Sequence, residues 1–270
     1  TSGDTADTGK STELSEQRET KFTDGGANRS EENDNNLNEK TKNSELTTHN
    51  SSLSNHSPFT PDEDNIIPVL DAEWFEDDII THFRKFVAAV WGNDVLEENI
   101  RFIEDKLGMN LRRYFLRDFY ADHIKRYKKR PIYWQFSSPS GAFNVLIYMH
   151  RYDRDTLNRI LANYLRVFID KLENNIGNLE NLAVNGSQRE QTQAKKDIDA
   201  THKTITELKT YAHDVFLPLA TERINIDLDD GVLVNYNKFG KAIKQVSGLN
   251  DAKTKKKVKG FDWIDTSEIR

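Results

Sequence analysis

Residues 128–152, KKRPIYWQFSSPSGAFNVLIYMHRY, interrupt the helical rhythm of the chain with two dense apolar runs, 131–136 and 143–149. Ile, Tyr, Trp, Phe and Val fill both, and such side chains suit a pleated, half-buried surface. The Ser-Ser-Pro-Ser-Gly between them contains two turn formers. The pattern predicts a β-hairpin, or two short strands joined by a loop, held between helices. A shorter run, Ile66-Ile67-Pro68-Val69-Leu70, reads as a strand or as an extended segment laid on the core.

On either side the apolar residues return every three or four positions, the period of a helix with one buried face. Ile79, Phe83, Phe86 and Val90 predict a helix that starts near Trp74 and Phe75, is capped by Asp71 and stops at Gly92-Asn93. Leu96, Ile100, Ile103 and Leu107 predict a second, capped by Asp94, ended by Gly108 and antiparallel to the first. A third is predicted over about 110–127, with a wide apolar arc that includes Leu111, Phe115, Phe119 and Tyr120. It ends where Arg130 precedes Pro131 and is biased away from helix.

Past the hairpin, Leu157, Leu161, Tyr164, Phe168, Leu172, Ile176 and Leu179 keep a near-heptad rhythm from a start at Asp153 or Asp155. After the turn Asn185-Gly186-Ser187, Ile198, Ile205 and Ala212 recur seven apart, as do Leu208 and Val215. These two helices predict an antiparallel helical hairpin over about 154–217, protruding and polar at its tip, with Pro218 kinking or ending it. Ile224, Ile226 and Leu228 alternate with polar residues and suggest a short strand, followed by a turn at Asp230-Gly231. Phe261, Trp263 and Ile264 are candidate anchors for the end of the chain. The predicted class is α+β, mainly α-helical, with the β-hairpin at its centre.

Composition changes this picture chiefly at the start. Residues 1–63 are rich in Ser, Thr, Asn, Glu and Asp, and their few large apolar side chains have no period. Such a segment cannot bury enough surface to offset its ordering entropy, so it reads as a disordered polar linker preceding a module over 64–270. The chain begins at Thr1 inside this tract, without the apolar core of a signal peptide, and looks like a piece of something longer. Of the formal net charge of -6, the first 65 residues supply 14 acids against 6 Lys or Arg, so the remainder is nearly neutral. There is no cysteine, which excludes disulfides and thiolate metal sites. No apolar run reaches membrane-spanning length.

Basic residues bunch locally. Arg112, Arg113, Arg117, Lys125, Arg126, Lys128, Lys129 and Arg130 crowd the third helix and its exit, against only Asp118 and Asp122. Such a face can neutralise phosphates, with Tyr133, Trp134, His150 and Arg151 as secondary contacts. The competing reading is a solvated helix face whose aliphatic stems cover apolar surface. Lys253, Lys255, Lys256, Lys257 and Lys259 form a second cluster, with the same DNA reading or that of a loop. No catalytic constellation is present: no G-x-G-x-x-G, no phosphate loop, no H-E-x-x-H and no G-x-S-x-G. His123 and His150 lack an orienting partner and read as structural, with a phosphate or partner contact as the alternative. The Asp pairs at 77–78 and 229–230 read as solvated acids rather than a cation site.

The stretch KKRPIYWQFSSPSGAFNVLIYMHRY closely resembles the large adenine-specific DNA methyltransferases of the bacteriophage exclusion (BREX) systems, the PglX family. The stretches IIPVLDAEWFEDDII (66–80), LRRYFLRDFYADHIKRY (111–127) and DLDDGVLVNY (227–236) carry the same resemblance. It implies a C-terminal region of such an enzyme. The family's Asn-Pro-Pro-Tyr motif and glycine-rich cofactor loop are absent, so S-adenosylmethionine is expected in a missing N-terminal part and no cofactor or metal in this chain. The expected role is a non-catalytic one in a bacterial, cytoplasmic anti-phage system. The expected partner is double-stranded DNA, for engagement or target recognition. The alternative is docking of other defence components or of a phage-encoded inhibitor.

Overall fold

The computed structural model describes Phe59 and residues 63–259. The linker expected over 1–63 and the anchors Phe261, Trp263 and Ile264 otherwise lie outside the described residues.

The predicted hairpin forms. Strands β2 (Tyr133–Ser137) and β3 (Asn144–Tyr148) pair antiparallel, with Tyr133 opposite Tyr148 and Ser137 opposite Asn144. Asn144, Val145, Leu146 and Ile147 are buried in succession, so β3 is covered on both faces and its sequence shows no alternation. The run at 66–70 resolves as strand β1 (Ile66–Pro68), which pairs antiparallel with β3 on its other side and gives the order β1-β3-β2. Pro68 is tolerated because β1 is an edge. The opposite edge is closed by residues 242–244: Ser137 N–H donates to Ala242 O, and Lys244 N–H to Gln135 O.

Helices α1 (Ile79–Trp91) and α2 (Leu96–Leu107) pack as the expected pair, and Gly92 and Gly108 end them at positive φ. The start of α1 is later than predicted. Asp78, not Asp71, is its cap, accepting from Thr81 N–H, while Asp71 accepts from the Trp74 indole. Asp94 likewise caps nothing: α2 follows Val95, with no side-chain bond at its start. The single third helix is in fact two, α3 (Leu111–Arg117) and α4 (Phe119–Arg126), which meet at Asp118. The break lets Phe115 and the Tyr120–Ile124 pair both reach the core.

The helical hairpin is built as predicted but not from regular helix throughout. Helix α5 (Thr156–Arg159) passes through a π-helical stretch, 160–165, into α6 (Arg166–Asn185). Ser187 and Glu190 form a reciprocal capping box that opens α7 (Gln188–Tyr211). A second π-helical stretch, 212–216, leads to α8 (Leu217–Glu222) and contacts the first. Pro218 does not end the chain's helical path. It sits in the first turn of α8, after the widened turn, where a missing N–H costs nothing. Burial fades from Leu157 and Leu161 toward the tip, where Val184 is 72 % exposed.

No strand forms at 224–228. Asp227 accepts from Asp229 N–H, and Asn235 binds the Asp227 carbonyl, so local side-chain bonds fold the segment into a 3-10 turn at 228–230 and helix α9 (Gly231–Lys238). The lysine cluster is helix α10 (Ala252–Lys259), not a loop.

Candidate nucleic-acid interface

Helix α4 delivers its basic residues into a tight turn. Tyr127 ends the helix, and Lys128 and Lys129 follow with φ of 49° and 62°. Two successive side-chain-bearing residues in the left-handed region cost about 1–2 kcal/mol each relative to ordinary helical backbone. The turn is held by Lys128 N–H to Lys125 O, Lys129 N–H to Ile124 O and Arg130 N–H to Tyr127 O. Lys125, Arg126, Lys128, Lys129 and Arg130 are all exposed. Arg126, Tyr127, Lys128 and Arg130 line a hollow of about 340 Å³.

His123 supports the turn from inside. Its Nε2 accepts from Tyr133 N–H at 3.1 Å, and burial lowers its pKa. The ring is therefore neutral, with its proton on Nδ1, which agrees with the structural reading. An unfolded histidine titrates near 6.5. Because the folded pKa is lower, this contribution is complete above that value and is lost as pH falls below it. Thermal melts from pH 7.5 to 5.5 should lose a few degrees more for the native protein than for His123→Gln, whose amide oxygen can still accept.

The second lysine cluster meets this turn. The Lys129 side chain lies over Gly248, where an added Cβ would come 2.5 Å from Nζ. Gly248 also holds φ at 81°, so the backbone calls for glycine there, whereas an added Cβ would displace only the flexible end of the Lys129 side chain. Asp251 then accepts from Gly248 N–H and Thr254 N–H and caps α10; those bonds push its carboxyl down to about 2. Ser247, Gly248, Asp251, Lys253, Thr254, Lys256 and Lys257 line a hollow of about 570 Å³. Lys253, Lys256 and Lys257 are exposed and Lys255 is half-buried. The side chain of Lys259 lies outside the described residues. Two basic clusters more than a hundred positions apart thus adjoin through one lysine on one glycine. The sequence marks each cluster but not their meeting.

The remaining candidates are placed as follows. Arg113 and Arg117 are exposed on α3. Arg112 is committed to the body: its Nη1 donates to the carbonyls of Leu70 and Ala72, and its Nη2 lies 2.8 Å from the Asp78 carboxylate. Asp78 is 1 % exposed, so it is a buried, paired acid rather than a solvated one. Trp134 is core, its indole donating to Pro131 O and its ring against Tyr236 and Phe239, which removes it from any surface contact. Tyr133 is half-buried between His123 and Tyr148. His150 is exposed beside Tyr148, and Arg151 donates to Glu63 O. Among the described residues no group of three or more His, Asp or Glu side chains is arranged to hold a metal ion. No helix among them is long and apolar enough to cross a membrane.

No protein-family model matches the chain. It is 39 % identical over 208 residues to adenine-specific methyltransferase BrxX of Escherichia coli O9:H4 (strain HS), covering 72 % of this chain and 17 % of that protein. It is 37 % identical over 195 residues to adenine-specific methyltransferase PglX of Lacticaseibacillus casei (strain Zhang), covering 68 % of this chain and 16 % of that one. The chain spans about a sixth of the length of these curated relatives. It is homologous, over about 70 % of its own length, to the BREX-associated adenine-specific methyltransferases of the BrxX/PglX kind.

Proposed function

We propose that this chain is a non-catalytic part of a site-specific adenine-N6 DNA methyltransferase in a bacterial, cytoplasmic anti-phage system, and that it grips the backbone of double-stranded DNA. The observation that carries this is the junction of the 125–130 turn with α10 through Lys129 and Gly248. A surface with seven exposed cations, Lys125, Arg126, Lys128, Arg130, Lys253, Lys256 and Lys257, suits phosphate neutralisation better than base readout. Binding of S-adenosylmethionine and methyl transfer belong, in this reading, to the portion of the enzyme outside this chain.

Neutralising either cluster tests it. Arg126→Gln/Lys128→Gln/Arg130→Gln and Lys253→Gln/Lys256→Gln/Lys257→Gln should each weaken duplex binding roughly tenfold or more. Lys195→Gln/Lys196→Gln/Lys203→Gln, on the exposed face of α7, should not. Unchanged binding in either of the first two variants contradicts the proposal. The strained turn gives a second check: Lys128→Gly should raise stability by about 0.5–1 kcal/mol in denaturant melts, by relieving positive φ, while weakening the duplex titration.

A second reading rests on the tip of the α6–α7 hairpin, where Leu182 and Val184 are exposed. Other defence components, or a phage-encoded inhibitor, would dock there, and Val184→Asp would abolish that contact without touching DNA binding.

A further inference from the structure

Lys244 is a half-buried cation that the fold leaves without a counter-charge. Its backbone is fixed at three points. The N–H donates to Gln135 O at 2.8 Å, and the carbonyl accepts from Tyr236 Oη at 2.8 Å and from Asn250 Nδ2 at 3.3 Å. The side chain runs to α4, where Nζ stands 5.8 Å from the centre of the Tyr120 ring. That ring is buried, and its hydroxyl is engaged with Tyr236 at 3.1 Å. Among the described residues no carboxylate or carbonyl oxygen meets the Lys244 ammonium. Other half-buried cations are paired: Arg112 with Asp78, Arg159 with Asp153 and Lys238 with Asp230. Burial lowers the pKa of the Lys244 amine. An ammonium drawn out of water with no anion beside it costs stability, and an arriving anion offsets that cost.

The position of this cation says which anion. Segment 244–248 runs beside α4 and its exit turn: it begins with Lys244 at Tyr120 and ends with Gly248 under Lys129. Lys129 N–H in turn is bonded to Ile124 O, one helical turn beyond Tyr120. Lys244 therefore stands on the strip that joins the two lysine clusters. We propose that Lys244 is a fixed phosphate contact of this surface, with one backbone phosphate of the duplex seated against its ammonium at the seam between α4 and 244–248. The inference rests on the DNA reading above and adds a defined position to it. An exposed lysine on a flexible stem follows a phosphate wherever it lies. The backbone bonds of Lys244 and the Tyr120 ring hold this one in place, so it sets the register of the duplex on the module.

The test titrates the chain with duplex across a salt series, native against Lys244→Met, which keeps the length of the stem over Tyr120. Lys244→Met should weaken binding about tenfold and lower the salt slope by about one. Its melting temperature should not fall, because methionine removes an unpaired charge from a half-buried site. Lys244→Arg should restore the slope. If the native chain binds duplex and Lys244→Met matches it in affinity and slope, the inference is overturned while the DNA reading stands. If the native chain does not bind duplex, the DNA reading itself falls. A lowered melting temperature with an unchanged slope also overturns the inference, by making Lys244 a structural residue. So does a native chain, but not Lys244→Met, stabilised by inorganic phosphate with equal duplex slopes, since the seat would then belong to a free phosphate.

Discussion

Replacing Arg112 with methionine is expected to cost the fold about 3–5 kcal/mol, because it strands the Asp78 carboxylate in the interior. Asp78 is 1 % exposed and does two things at once: Oδ1 caps α1 through Thr81 N–H, and Oδ2 faces the Arg112 guanidinium at 2.8 Å. Arg112 also closes the carbonyls of Leu70 and Ala72, at 3.0 and 3.1 Å, and so ties the exit of β1 to the start of α1 and to α3. Arg112→Met/Asp78→Asn should recover much of the loss, since asparagine still caps the helix and no charge remains buried. Urea melts of the two variants measure this. At temperatures where Arg112→Met stays folded, its duplex affinity should equal that of the native protein.

Phe136→Ala is expected to cost a similar amount, about 3–5 kcal/mol, through a cavity at the centre of the molecule. Phe136 is fully buried on β2, its ring against Phe216 of the second π-helical stretch and Phe239 beyond α9. Its backbone bridges Ile243, in the segment that closes the sheet edge and runs on to Gly248 and α10. The cavity therefore loosens the connection between the sheet and the second lysine cluster. Hydrogen exchange should rise across 242–251 in Phe136→Ala beyond the rise in α2, which the ring does not touch.

The β-hairpin, the α1–α2 pair and the long helical hairpin were all legible in the sequence, because each rests on periodicity within a short window. The differences arise where a specific side-chain contact or a local backbone adjustment overrides the periodic signal. Asp71 is as good a cap by type as Asp78, but only Asp78 meets Arg112. Ile224, Ile226 and Leu228 alternate like a strand, yet Asn235 captures the Asp227 carbonyl and winds the segment up. Pro218 looks like a helix breaker until a π-helical turn places it at a helix start. Phe86 and Val90 keep the helical period while His82 and Val87 take the buried face. For the candidate interface, sequence supplied both lysine-rich stretches, and their charge is enough to mark them. It could not remove Arg112 or Trp134 from the surface, since those depend on Asp78, Pro131 and Tyr236. Nor could it join the stretches, because a lysine stem lying on a glycine leaves no sequence pattern.

The salt dependence of duplex binding tests the central claim most directly. Across a titration from 50 to 200 mM salt, log affinity should fall linearly with log salt concentration for the native chain. With Arg126, Lys128, Arg130, Lys256 and Lys257 all changed to glutamine, the slope should flatten by about four to five, close to one per phosphate released. A slope that is the same in both proteins would mean that these side chains do not meet the DNA backbone.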